Sequence, residues 1–173
     1  SSAQGDATLE GAVLSVTNRS EGPVTVGGKV FQPGEECSTV EVDKSGLAQG
    51  ATRDLPYGTY EIREKEPPEG YLHNTEWSVT FEIREDGATV DLTDEPLTQT
   101  PVRGQGELQK HDAELADTRP QGDATLAGAE VWIYNRSDGP VVVGGVTYQP
   151  NQRIEAATMV TDESGWASTE PMA

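Results

Sequence analysis

The segment GDATLEGAVLSVTNRSEGPVTVGGKVFQP at residues 5–33 returns at residues 122–150 as GDATLAGAEVWIYNRSDGPVVVGGVTYQP, 117 positions later, with 18 of 29 positions identical. A period above about 100 residues is too long for one turn of a solenoid and matches an independent domain repeated along a chain. After a two-residue insertion the second copy continues, with Thr161 to Gly165 matching Val42 to Gly46. The reading expects one domain over residues 1–101 and the N-terminal part of a second over 102–173. In the second copy a strand-like stretch, GELQKHDAEL at residues 106–115, precedes the repeat, and its counterpart in the first copy falls upstream of Ser1. The first domain is therefore expected to lack its first strand, and the whole to be a window on a longer protein. A half domain buries too little apolar surface to offset its ordering entropy alone.

The local pattern is β throughout. Val13, Ser15 and Thr17 alternate with Ala12, Leu14 and Val16, while Val24–Val26 and Val141–Val143 run into Gly-Gly turns, the pattern of hairpins. Further strands are expected at Cys37–Val42, Tyr57–Glu64, Trp77–Arg84 and Ala88–Leu92, divided by the turn signals PG, KSG, PPEG and EDG. Short strands at turn-spaced intervals within about 100 residues mark a β-sandwich. Its core is expected to hold Leu9, Ala12, Leu14, Val16, Leu55, Tyr60, Ile62, Tyr71, Trp77, Val79, Phe81 and Ile83. Residues 97–106, LTQTPVRGQG, read as a short connector between domains.

The order LxGAxxxV (Leu9 to Val16), DxxG (Asp43 to Gly46), LPYGTYEIREKEPPEGY (Leu55 to Tyr71) and FEIREDG (Phe81 to Gly87) resembles the SpaA or Cna B-type domains of Gram-positive surface proteins and pilins. The resemblance covers nearly all of residues 5–100 and returns over about 105–168. It implies an all-β, transthyretin-like or reverse immunoglobulin-like sandwich, serving as a stalk module on an extracellular, cell-wall-attached protein. It also implies a self-made isopeptide bond, in which a first-strand Lys attacks the side-chain carbonyl of a last-strand Asn or Asp while a buried Glu moves the proton. Burial favours the neutral amine and the protonated acid. Fixing both partners supplies an effective molarity on the order of 10⁵ M or more. The reaction is single-turnover, so no enzyme in the usual sense is expected.

Carried onto this sequence, the resemblance implies Glu64 as the proton shuttle; period-two alternation puts it on the face of Tyr60 and Ile62, unlike its rival Glu61. Asp94 in VDLTDEP takes the place of the acceptor, with Asp91 the lesser alternative. Lys110 in QKHD matches the first-strand KxD signature, but belongs to the second domain. Strand donation of the Lys110 segment between copies is a further possibility. The expected partners are neighbouring repeats, a strand-donating copy and a host surface ligand.

Thirty acidic residues against 12 basic ones give a net charge of −18, which argues against nucleic acid and anionic membrane surfaces as partners. No apolar run of about 18 residues offers a membrane span. Cys37 is the single cysteine and reads as a small buried apolar residue. His73 and His111 lack metal-ligand spacing, so neither metal nor cofactor is expected. The acidic turns Asp43–Ser45 and Asp162–Ser164 read as solvated turns ahead of calcium loops. Asn18-Arg19-Ser20 and Asn135-Arg136-Ser137 fit the N-glycosylation pattern at a hairpin in both copies. Adhesion through the hairpin tips or through exposed Trp132 and Trp166 is the rival function, although their counterparts are Ser15 and Leu47.

Overall fold

The computed structural model describes residues 3–48 and 55–172. It divides into two compact units, one of residues Ala7–Pro101 and one of Val102–Ala173 together with Ala3–Asp6. The strands of the first unit are β1 (Val13–Asn18), β2 (Val24–Val26), β3 (Lys29–Phe31), β4 (Glu36–Glu41), β5 (Gly58–Glu66), β6 (Tyr71–Leu72), β7 (Ser78–Ile83) and β8 (Thr100–Pro101). Those of the second are β9 (Glu107–Gln109), β10 (Glu130–Val131), β11 (Val141–Val143), β12 (Val146–Tyr148), β13 (Met159–Val160) and β14 (Trp166–Ser168), with a single 3-10 turn at Glu155–Ala157. No helix among the described residues is long and apolar enough to cross a membrane.

A four-stranded antiparallel sheet in the order β4-β1-β5-β7 dominates the first unit. Alternation along β1 turns Leu14, Val16 and Asn18 inward, and alternation along β5 turns Gly58, Tyr60, Ile62 and Glu64 the same way. Leu14 lies opposite Glu64, Val16 opposite Ile62 and Asn18 opposite Tyr60. Their shared face packs with Val24, Cys37, Val40, Val42, Leu55 and Phe81 into one core. Tyr60 and Phe81 stack with ring centroids 5.7 Å apart, and burying side chains of this size contributes roughly 1.5–3 kcal/mol each. Trp77, Val79 and Ile83 pack against this core from partly buried positions, and Leu9 is half-buried. Cys37 is buried, donating its thiol to the Val16 carbonyl at 3.3 Å, and burial pushes that thiol's pKa up.

The motif glycine of the YGTY stretch has a packing cause. A Cβ on Gly58 would lie 2.7 Å from Ser20 Oγ and 3.0 Å from the Tyr60 hydroxyl, so a side chain there would push Ser20 or Tyr60 out of place. Ser20 Oγ uses that space to accept the Thr59 N–H at 3.0 Å, and the Tyr60 hydroxyl donates to the Pro56 carbonyl at 2.8 Å.

Two expectations need correction. Residues 88–92 form no strand; after the turn at Gly87 they run without a ladder partner among the described residues, Val90 exposed and Leu92 reaching back to the core. The connector at 97–106 is partly domain, because Leu97 packs on the first core and β8 pairs with β6.

The second unit repeats the local architecture of the first. The pairings Val13↔Glu41 and Leu14↔Val40 return as Glu130↔Val160 and Val131↔Met159, and the hairpins β2-β3 and β11-β12 share one register. Gly27 and Gly28, like Gly144 and Gly145, have φ between 55° and 80°. Both central positions of such a two-residue turn require positive φ, which explains the paired glycines. Val141, Val143, Tyr148, Ile154 and Ala157 form a smaller core.

Candidate functional site

Glu64 ends the inward-facing row of β5 at 5 % exposure. A carboxyl group buried this far needs hydrogen-bond partners, since burying one without them is costly. Two segments from outside the sheet supply them. The Asn74 backbone N–H donates to Oε2 at 2.5 Å, and the side-chain amide of Gln99 donates to Oε1. His73 Nε2 lies 3.1 Å from the Glu64 main-chain carbonyl.

Asn74 holds these segments together. Its Oδ1 accepts the N–H groups of Glu76 and Trp77 at 3.2 and 3.1 Å, which folds the loop back on itself, and its Nδ2 donates to the Thr98 carbonyl at 3.0 Å. Gln99 is thereby fastened beside Glu64 just before β8. The carboxamide is only half-satisfied: Gln99 Oε1 is buried and accepts no hydrogen bond. A primary carboxamide held by its nitrogen against a carboxylate, with its carbonyl oxygen unused, is an acyl group whose leaving nitrogen already touches a proton carrier.

Asp94, by contrast, is exposed in the turn at residues 93–94. Asp91 is also exposed and accepts the Thr93 N–H at 2.9 Å, and hydrogen bonds from Thr93 hold its carboxyl below the usual range. Glu61 faces outward, where Arg63 and Arg19 bind it at 2.6 and 2.8 Å. Lys110 lies one residue beyond β9, exposed, with its N–H donating to the Gly165 carbonyl at 2.8 Å. The lysines of the first unit sit elsewhere: Lys29 is exposed on β3, Lys44 is 3.9 Å from Glu10, and Lys65 pairs with Glu36 at 2.6 Å.

The other expected features resolve as packing. Asn18 is 0 % exposed; its Nδ2 donates to the Gly22 and Phe31 carbonyls, both at 3.1 Å, and its Oδ1 accepts the Ser20 N–H at 2.9 Å. Asn135 makes the equivalent bonds to Gly139, Tyr148 and Ser137 at 3.0, 3.1 and 2.9 Å. Both nitrogens of the sequon pattern are thus consumed by internal clamps. Asp43 Oδ1 accepts Ser45 N–H, Ser45 Oγ–H and Leu47 N–H, and Asp162 repeats this with Ser164 and Trp166. These donors lower both carboxyls, the serine hydroxyl first, and make each loop a self-capped turn. Among the described residues no group of three or more His, Cys, Asp or Glu side chains could hold a metal ion.

A family model for the SpaA prealbumin-like fold domain matches residues 1–96, more than half of the chain. The chain belongs to this family. Among solved structures, the TIE protein of Bacillus anthracis is similar, with a TM-score of 0.53 and 26 % identity over 94 % of this chain. The match covers 23 % of that protein, so the chain spans about a quarter of its length. No curated protein matches. Membership in the SpaA family makes this a structural, prealbumin-like β-sandwich module of the surface or pilin type.

Proposed function

We propose that the chain is part of the stalk of an extracellular, cell-wall-attached surface protein, made of SpaA-type units in series, each closed by an internal amide cross-link. The single observation that supports this best is the buried Glu64 carboxylate on β5, satisfied by donors from two separate segments instead of by a counter-cation. A structural sandwich has no need of an acid at that depth, where an apolar side chain would be at least as stable. In a unit without disulfides, a cross-link between sheets would supply the resistance to pulling that hydrophobic packing alone lacks. The proton-shuttling role belongs to Glu64, and Lys110 is the amine of the second unit's own site.

The rival reading is direct adhesion. Its support is an exposed pair on the second unit, where the Arg153 guanidinium stacks 4.1 Å from the centroid of the half-exposed Trp132 ring. Surface plasmon resonance with the immobilised chain against extracellular-matrix proteins and a glycan array separates the two. A stalk gives no saturable binding, and a saturable isotherm abolished by Trp132→Ala would replace the stalk with an adhesin.

A further inference from the structure

We propose that Gln99, and not a carboxylate, is the acyl partner of the cross-link in the first unit, and that the amine comes from a strand of the sequence GELQKHDAEL entering the open cavity of that unit. This rests on the cross-linking reading above and identifies both of its missing partners.

Three observations converge. First, Gln99 is the group brought to Glu64, while Asp94 stands exposed in a turn. Its unsatisfied, buried Oε1 calls for a donor, and a lysine ammonium or amine, with several N–H groups and no acceptor demand when charged, suits it. Second, Gln99 lines an open cavity of about 1090 Å³ in the first unit, walled by Leu14, Ile62, Phe81 and Leu97 and reaching Leu47 and Ala48. Third, the second unit shows which strand belongs at this edge. There β9 pairs with β14, with Leu108 opposite the buried Ala167 and the Lys110 N–H on the Gly165 carbonyl. The repeat maps Gly165, Trp166 and Ala167 onto Gly46, Leu47 and Ala48, which stand at the rim of the cavity with Leu47 exposed. The counterpart of Ser168, Gln49, lies outside the described residues. Alternation puts Lys110 on the same face of its strand as Leu108, so a strand laid on this edge presents the lysine to the cavity that Gln99 lines.

The step balances without any co-reactant. The lone pair of Lys Nζ attacks Cδ of Gln99; Glu64 takes a proton from the attacking nitrogen and returns one to Nε2; the Cδ–Nε2 bond breaks and ammonia leaves. A primary amide and an amine become a secondary amide and ammonia.

The test incubates the 173-residue chain with the synthetic peptide GELQKHDAEL and reads intact mass and a fragment map. The expected product is chain plus peptide less one ammonia, with the branch at Gln99. Gln99→Glu should give the same branch less one water, since the leaving group is then hydroxide and a proton; Gln99→Ala, or peptide with Lys replaced by Arg, should give none. A covalent dimer less one ammonia, joined from Lys110 to Gln99, would support the same assignment. An adduct less one water that maps to Asp94 overturns Gln99 as acceptor while leaving the cross-linking reading intact. Absence of any adduct, with circular dichroism showing the chain folded, overturns both.

Discussion

The two units share their local parts and differ in how far those parts are assembled. β1 is a six-residue strand flanked on both sides, by β4 and β5, whereas its counterpart β10 has two residues and, among the described residues, pairs with β13 alone. Where Ser15 faces outward on β1, the second unit carries Trp132 at 50 % exposure. At the other edge the difference reverses: β14 is covered by β9, while Leu47 and Ala48 have no such cover among the described residues. Yet the hairpin, the asparagine clamp, the aspartate turn and the pairing register are the same in both. Short-range hydrogen bonding therefore sets this local geometry, and the sheet partners that complete a core act on top of it.

The sharpest way to break that comparison is the clamp itself. Asn18→Ala leaves two carbonyls and one N–H without partners in a buried setting, and each such group costs about 1–3 kcal/mol. A loss of about 3 kcal/mol or more is expected in urea denaturation, with Asn135→Ala losing a similar amount in the second unit. Retention of stability by either variant would mean that the strands alone hold the hairpin. Next in size is Glu64→Ala, which strands the Asn74 N–H and the Gln99 amide for about 1–3 kcal/mol and should unsettle the first unit alone. Trp77 reports the first unit, and Trp132 and Trp166 the second, so fluorescence of Trp→Phe variants assigns the loss.

Alkaline pH should separate the units further. Burial first and the neighbouring Cys37 second push the Tyr60 hydroxyl up to about 12. An unfolded tyrosine titrates near 10, so this contribution is intact below about pH 10 and is lost as the pH rises toward 12. The Trp77 transition should weaken across that window, and less steeply in Tyr60→Phe, where the buried Cys37 thiol still titrates upward of its usual range. The smallest effect concerns Arg19, whose counterpart is Arg136. Hydrogen bonds from Arg63 first, and from Arg19 as well, hold the Glu61 carboxyl below its ordinary value. That contribution is present above the ordinary carboxylate pKa and is lost as the pH falls through the folded one. Arg136 instead donates to neutral Asn151 Oδ1 at 2.5 Å. Arg19→Ala should therefore cost about 0.2–1 kcal/mol, less in high salt and at acid pH. Arg136→Ala should show neither dependence.

Alternation made much of this legible. It places Leu14, Val16, Tyr60 and Ile62 inside and carries Glu64 in with them, because a strand cannot turn one side chain out of its row without a bulge. Gln99 was hidden for the opposite reason. Thr-Gln-Thr-Pro has no period, and its burial comes from Asn74 Nδ2 holding the Thr98 carbonyl, a contact 24 residues away in sequence. Asn18 carries a signal in the sequence: it continues the inward row of Leu14 and Val16, and it recurs at position 135. Ala88–Leu92 showed strand composition, but a ladder needs a neighbour, and composition does not provide one.

The asparagine clamp has one further consequence. Because Asn18 grips the hairpin through main-chain carbonyls at Gly22 and Phe31, the grip is indifferent to which outward side chains the hairpin carries. Lys29 and Val30 in one copy stand where Val146 and Thr147 stand in the other, on the same turn and in the same register. Such a tip can change its chemical face freely from copy to copy while its frame stays put, so its exterior is open to drift under whatever pressure the surroundings impose.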